Sequence, residues 1–205
     1  MISLPVEINS TGFVQREKIN GATVKNKCGR DFMYYALNYY LPRKFNPIDC
    51  SIVEIERSNS FGFSLPAFLA WTQLQFYKLP GFLKENDLVL KINSHMINDF
   101  FDFFESILFS RMTYDNAIKI IEHNIENGSA TGIDISLGFF GLLDHVMFVY
   151  GYDEDNLYVF DTHKVPHLNY ERMTEDNRYF MKLSKKEILE RWSIFGRVWE
   201  VDRLH

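Results

Sequence analysis

The sequence has few of the features that mark secreted, membrane-spanning or disulfide-stabilised proteins. Only two of its 205 residues are cysteine, Cys28 and Cys50, which is too few for a disulfide framework. The first residues show neither the basic segment nor the apolar segment of a signal peptide. No apolar run reaches the ~20 residues that cross a bilayer. We therefore expect a cytoplasmic protein with reduced thiols and no membrane partner.

Charge and motif content exclude several other classes of partner. The net charge is -5 at pH 7 and the sequence pI is about 5.7, and no basic stripe is present, so we expect no nucleic-acid partner. There is no glycine-rich phosphate loop, and the histidines lack the spacing of metal ligands. We expect no cofactor and no metal. The oligomeric state is left open by the sequence.

What the sequence does contain is the composition of a globular protein. Hydrophobic residues make up 46% of the chain and aromatic residues 16%, which suits one substantial core. No internal repeat, low-complexity tract or Pro/Ser-rich linker marks a domain boundary. We therefore predict a single domain over residues 1–205.

The spacing of apolar residues predicts helices mostly early in the chain and strands mostly late. Helices are predicted at residues 29–41, 68–77, 100–111, 114–127 and 184–192, and strands at 52–56, 88–92, 131–137, 145–152, 157–161 and 197–201. Pro80-Gly81 and Gly128 are predicted to follow the ends of the second and fourth helices. Ser184 and Glu187 have the spacing of a capping box. This order of elements favours the α+β class with an antiparallel sheet.

Cys28 begins a predicted helix, which is a position that can activate a thiol. The positive end of the helix dipole and its N–H groups favour the thiolate, which is the nucleophilic form of cysteine. Gly29 allows a substrate or backbone to approach the sulfur closely, whereas the negative charge of Asp31 opposes a thiolate. The alternative is a buried structural cysteine, the commoner role of a free Cys, and we assign that role to Cys50.

His145 and Asp161 lie on two strands predicted to pair in a hairpin, so they are candidates for a base and for the group that orients it. A three-residue loop or a bulge would place Asp161 opposite Met147, with His145 as its diagonal neighbour on the same face. An unbulged four-residue loop would put the two side chains on opposite faces. The alternatives are a hydrogen-bonded core histidine and a surface aspartate that opens a turn.

An oxyanion donor is the fourth part that such a site requires. Gln15, upstream of Cys28, is our candidate, and Asn26, two residues before the cysteine, is its rival. An ordinary loop amide is the alternative for either residue.

In this order and spacing, the residues resemble papain-like cysteine peptidases of the bacteriocin-leader-processing (double-glycine) type. The similar segments are Gln15, Cys28-Gly29, the helix that runs into Asn127-Gly128, the run from His145 to Asp153, and Val159-Phe160-Asp161. The resemblance implies a papain-like fold, with a helical half, an antiparallel sheet half and the site in the cleft between them. It also implies that Cys28, His145 and Asp161 are catalytic and that Gln15 binds the oxyanion.

The long segment between cysteine and histidine broadens the expected chemistry. Residues 58–112 are similar in layout to the N-terminal domain of butirosin biosynthesis protein H, a papain-like acyltransferase. We therefore expect a thiol-dependent, peptidase-like acyl-transfer enzyme acting on a peptide or acyl-carrier substrate. An acyltransferase of small-peptide or metabolite biosynthesis is one alternative. A non-catalytic binding module on the same fold is another, because Arg30, Asp31 and the bulky residues after them depart from the family pattern.

Overall fold

Helices and an antiparallel sheet together form the protein, which confirms the predicted α+β class. The computed structural model describes residues 1–6, 18–19, 22–23, 28–42, 79–99, 101–102, 105–106, 111–136, 144–161, 168–173, 180–192 and 196–204. The predicted elements at 52–56 and 68–77, and most of the one at 100–111, lie outside these residues. In the part of the chain that is described, no helix is long and apolar enough to span a bilayer.

Four helices lie within the described ranges: α1 (Cys28–Tyr40), α2 (Leu79–Lys84), α3 (Tyr114–Glu126) and α4 (Lys185–Glu190). The sequence predicted all but α2, whose first turn contains Pro80-Gly81. Proline in the first turn of a helix has no intrahelical hydrogen bond to lose. Pro80-Gly81, which the sequence predicted only to follow a helix, therefore lies in the first turn of α2.

The ends of α3 and α4 show why these segments are helical. The Thr113 side chain accepts a hydrogen bond from the backbone N–H of Asn116 at the start of α3, and Gly128 follows its end with a φ of 74°, as predicted for a stop glycine. Ser184 caps α4 by accepting from the backbone N–H of Lys186. Glu187, predicted to complete a capping box, accepts hydrogen bonds from Asn169.

Nine of the described strands form one antiparallel sheet. They run β5-β4-β11-β6-β7-β8-β10-β9, and β1 pairs with β7 off this path. Strands β2 and β3 form a separate pair. The bounds are β1 (Ile2–Ser3), β2 (Lys18–Ile19), β3 (Ala22–Thr23), β4 (Leu88–Ile92), β5 (His95–Met96), β6 (Ala130–Ser136), β7 (Asp144–Tyr152), β8 (Asn156–Phe160), β9 (Glu171–Arg172), β10 (Phe180–Ser184) and β11 (Val198–Arg203).

Helix α1 packs on β6 and β7 and forms the centre of the core. The Phe32 ring lies 6.2 Å from that of Phe148 and 6.1 Å from that of Trp199, and Tyr35 packs on Phe160. A Cβ on Gly132 would lie 2.7 Å from two carbons of the Phe32 ring. Glycine at this position therefore lets α1 approach the sheet closely enough to fix the helix over β6.

Candidate active site

Cys28 is the first residue of α1 and a partly exposed free thiol. The first backbone N–H groups of a helix have no acceptor within it, and the helix dipole is positive at this end. These groups lie in the turn that carries the sulfur, where they favour negative charge.

The hairpin of β7 and β8 sets the relative position of His145 and Asp161. Near the turn, Tyr152 pairs with Leu157 and Gly151 with Tyr158. This register alone would bring Asp161 opposite Phe148 and put its side chain on the face away from His145.

A β-bulge at Tyr150 shifts that register by one residue. Val149 pairs with Val159 and Phe148 with Phe160, so Tyr150 has no counterpart on β8. Continued by one step, the register brings Asp161 opposite Met147, two residues from His145 on the same face. This is the arrangement predicted for a hairpin that carries a bulge.

His145 and Asp161 form a buried hydrogen-bonded pair. Nε2 of the imidazole lies 2.9 Å from Oδ1 of Asp161, and each residue is 3% exposed. Because Nε2 faces the carboxylate, Nδ1 is the ring nitrogen that can exchange a proton with a group on the other side of the ring.

Cys28 lies beside His145, and the two groups interact electrostatically. Burial acts to lower the pKa of His145, but the charge and hydrogen bond of Asp161 raise it, and so do the hydrogen bond and charge of Cys28. The opposing effects leave the pKa of His145 well above its ordinary value of 6.5. The site therefore favours the protonated form of His145 beside Asp161 and Cys28.

A tyrosine that the sequence did not single out also contacts Asp161. The Tyr170 hydroxyl donates to Oδ2 of Asp161 at 2.9 Å and lies 3.9 Å from the sulfur of Met147. Both carboxylate oxygens thus accept a hydrogen bond. No motif or spacing marks this residue, because its position depends on the pairing of β9 with β10, which local sequence patterns do not predict.

Of the other side chains that the sequence singled out for the site, only that of Asp31 lies among those the structure describes. Gln15, Asn26 and Cys50 lie outside the described residues. Asp31 is buried in the first turn of α1. Among the side chains that the structure describes, no three His, Cys, Asp or Glu residues are grouped to hold a metal ion.

The geometry brings together three of the four residues predicted for the site. A carboxylate orients an imidazole, and the imidazole lies against a thiol at a helix N-terminus, which is an arrangement that can take a proton from sulfur and return it to a leaving group.

Comparisons with protein-family models, curated proteins and solved structures find no match to this chain.

Proposed function

We propose that the protein is a thiol-dependent acyl-transfer enzyme of the papain-like type, acting on a peptide or an acyl-carrier substrate. One observation carries the proposal: Cys28 at the start of α1 lies beside His145, whose Nε2 is 2.9 Å from Asp161. A nucleophile, a base that interacts with it and a group that orients the base are the minimum set for covalent catalysis at a carbonyl.

In the reacting form, the proton of Cys28 has already passed to His145, which the site favours as an imidazolium. The thiolate attacks the carbonyl carbon of the substrate, and the electron pair of the C=O bond moves to oxygen. Backbone N–H groups at the start of α1, together with the proposed donor Gln15, stabilise that oxyanion. When the intermediate collapses, the imidazolium gives its proton to the leaving group and an acyl-Cys28 thioester remains.

The second half of the reaction releases the acyl group. Neutral His145 takes a proton from water or from an amine, which attacks the thioester carbon, and Cys28 leaves and recovers its proton. Water as acceptor gives a peptidase, and an amine gives an acyltransferase. In both cases the whole chain forms one papain-like domain, with the site between the helical half and the sheet.

Acylation of Cys28 by a simple activated ester tests this proposal. We expect p-nitrophenyl acetate to add one acetyl group to the protein, located on Cys28 by peptide mapping, with Cys50 as the internal comparison. Cys28→Ala should remove the adduct, and His145→Ala should slow its formation at least about 100-fold, the usual range for loss of a general base.

Two outcomes decide the matter. Equal and slow labelling of Cys28 and Cys50, unchanged in His145→Ala, would contradict an enzyme and favour a binding module. If Cys28 is acylated, adding a primary amine separates the two acceptors, because amide formation beyond the rate without protein marks a transferase and hydrolysis alone marks a peptidase.

A further inference from the structure

Asp161 is buried, and its two oxygens face different partners. Oδ1 lies 2.9 Å from Nε2 of His145, and Oδ2 accepts from the Tyr170 hydroxyl at the same distance. A hydrogen bond to only one oxygen leaves a carboxylate free to rotate about its terminal torsion, which has a broad energy profile. Donors on both oxygens fix the plane of the carboxylate.

The position of Tyr170 is itself set by its neighbours on the chain. Tyr170 directly precedes β9, whose Glu171 and Arg172 pair with β10. On its other side, the backbone N–H and the side-chain amide of Asn169 donate to Glu187 on α4. The backbone is thus held on both sides of the tyrosine.

We propose that Tyr170 is a positioning residue that locks Asp161 against His145, an inference that rests on the proposed function. The hydroxyl bonds the oxygen that the histidine does not use, so it fixes the carboxylate without competing for Nε2. It also donates to a buried anion, which would otherwise lose part of its solvation. Tyr170 acts on the base through Asp161, the residue to which its hydroxyl donates.

A role in positioning makes a prediction that a purely structural hydrogen bond does not. In Tyr170→Phe the ring remains, but Asp161 loses the hydrogen bond to Oδ2 that helps hold it against His145. Among the described residues, the titratable groups that raise the pKa of His145 are Asp161 and Cys28, and weakening the interaction with Asp161 lowers that pKa. A structural bond alone would change the free energy of unfolding and leave that pKa in place.

The titration of His145 is the first readout, and it needs no substrate. Histidine-labelled protein is titrated by NMR, with the His145 resonance assigned by its loss in His145→Gln. We expect a lower pKa in Tyr170→Phe than in wild type and no change in Tyr152→Phe. The Tyr152 variant is the matched control, because its hydroxyl also donates to a carboxylate, that of Glu126 at 2.6 Å. An unchanged pKa in Tyr170→Phe would overturn the proposal.

A double-mutant cycle on Cys28 acylation is the second readout. Tyr170→Phe alone should slow acylation about tenfold, the level at which groups that support a functional ligand usually contribute. In an Asp161→Asn background the same substitution should change the rate less than twofold, because the residue that it positions has lost its charge. Additive effects in the cycle would overturn the proposal. Absence of acylation in wild type would overturn the proposed function, while the NMR titration would still decide the role of Tyr170.

Discussion

At the scale of single residues, the chemistry of the site depends on the proton of His145 and on the two side chains that set its pKa, Asp161 and Cys28. Burial disfavours a charged imidazole, and Asp161 and Cys28 more than offset that effect. The high pKa of His145 therefore depends on its partners and not on solvent.

Asp161→Asn should lower the pKa of His145. The amide keeps a polar group beside Nε2 but loses the charge that stabilises the imidazolium, so the effect of burial has less opposition. NMR titration of labelled histidine measures the change, and acylation of Cys28 should slow at least about tenfold. Asp155→Asn, an exposed change in the turn of the same hairpin, is the control. A shift of equal size in both variants would contradict this assignment.

At the scale of elements, two local features bring the three residues together. The bulge at Tyr150 shifts the register of β7 and β8 by one residue, which puts His145 and Asp161 on the same face of the sheet. The bulged segment also meets β1, since the backbone N–H of Leu4 donates to the carbonyl oxygen of Tyr150 at 2.7 Å. The other feature is the close approach of α1 to β6 over Gly132, which fixes the helix that begins with Cys28.

Gly132→Ala should destabilise the protein by about 1–3 kcal/mol, the usual cost of overpacking a core. The new methyl group would lie 2.7 Å from the Phe32 ring and 2.9 Å from the carbonyl oxygen of Met147. Urea unfolding of the variant gives the change in free energy. Gly81→Ala is the control, because a Cβ there meets nothing within 4 Å and alanine is the better helix former. Equal stability of Gly132→Ala and wild type would show that the packing of α1 on β6 does not require a glycine at this position.

At the scale of the whole molecule, the free energy of unfolding depends on pH through His145. The pKa of His145 in the folded protein is raised above its ordinary value of 6.5. Its stabilising effect is therefore fully present below about pH 6.5 and is lost as the pH rises through the folded pKa.

The pH dependence of stability should consequently differ between wild type and His145→Gln. We expect wild type to have its largest advantage in free energy of unfolding below about pH 6.5, with the advantage shrinking at higher pH. Urea unfolding at a series of pH values measures this, and the contributions of remote carboxylates cancel in the comparison. A difference that does not vary with pH would mean that folding leaves the pKa of the histidine unchanged, and a difference that grows as the pH rises would mean that the histidine is uncharged in the fold.

Sequence patterns predicted the parts of this structure that depend on local periodicity and order. Helix α1, the β7–β8 hairpin and the α+β class follow from apolar spacing and turn residues. The register of His145 and Asp161 was left open between two possibilities, because a single bulged residue decides it. Tyr170 and β10 were missed, since their places depend on contacts between strands that no local pattern records.

The most direct test of the central claim is the rate at which iodoacetamide alkylates Cys28 at about pH 6, well below the pKa of ~8.5 of an ordinary free thiol. If His145 and Asp161 activate the sulfur, Cys28 reacts faster than a small model thiol, and His145→Ala removes the difference. Peptide mapping separates this reaction from alkylation of Cys50. A Cys28 that reacts no faster than the model thiol, with the same rate in His145→Ala, would contradict the proposed thiol chemistry.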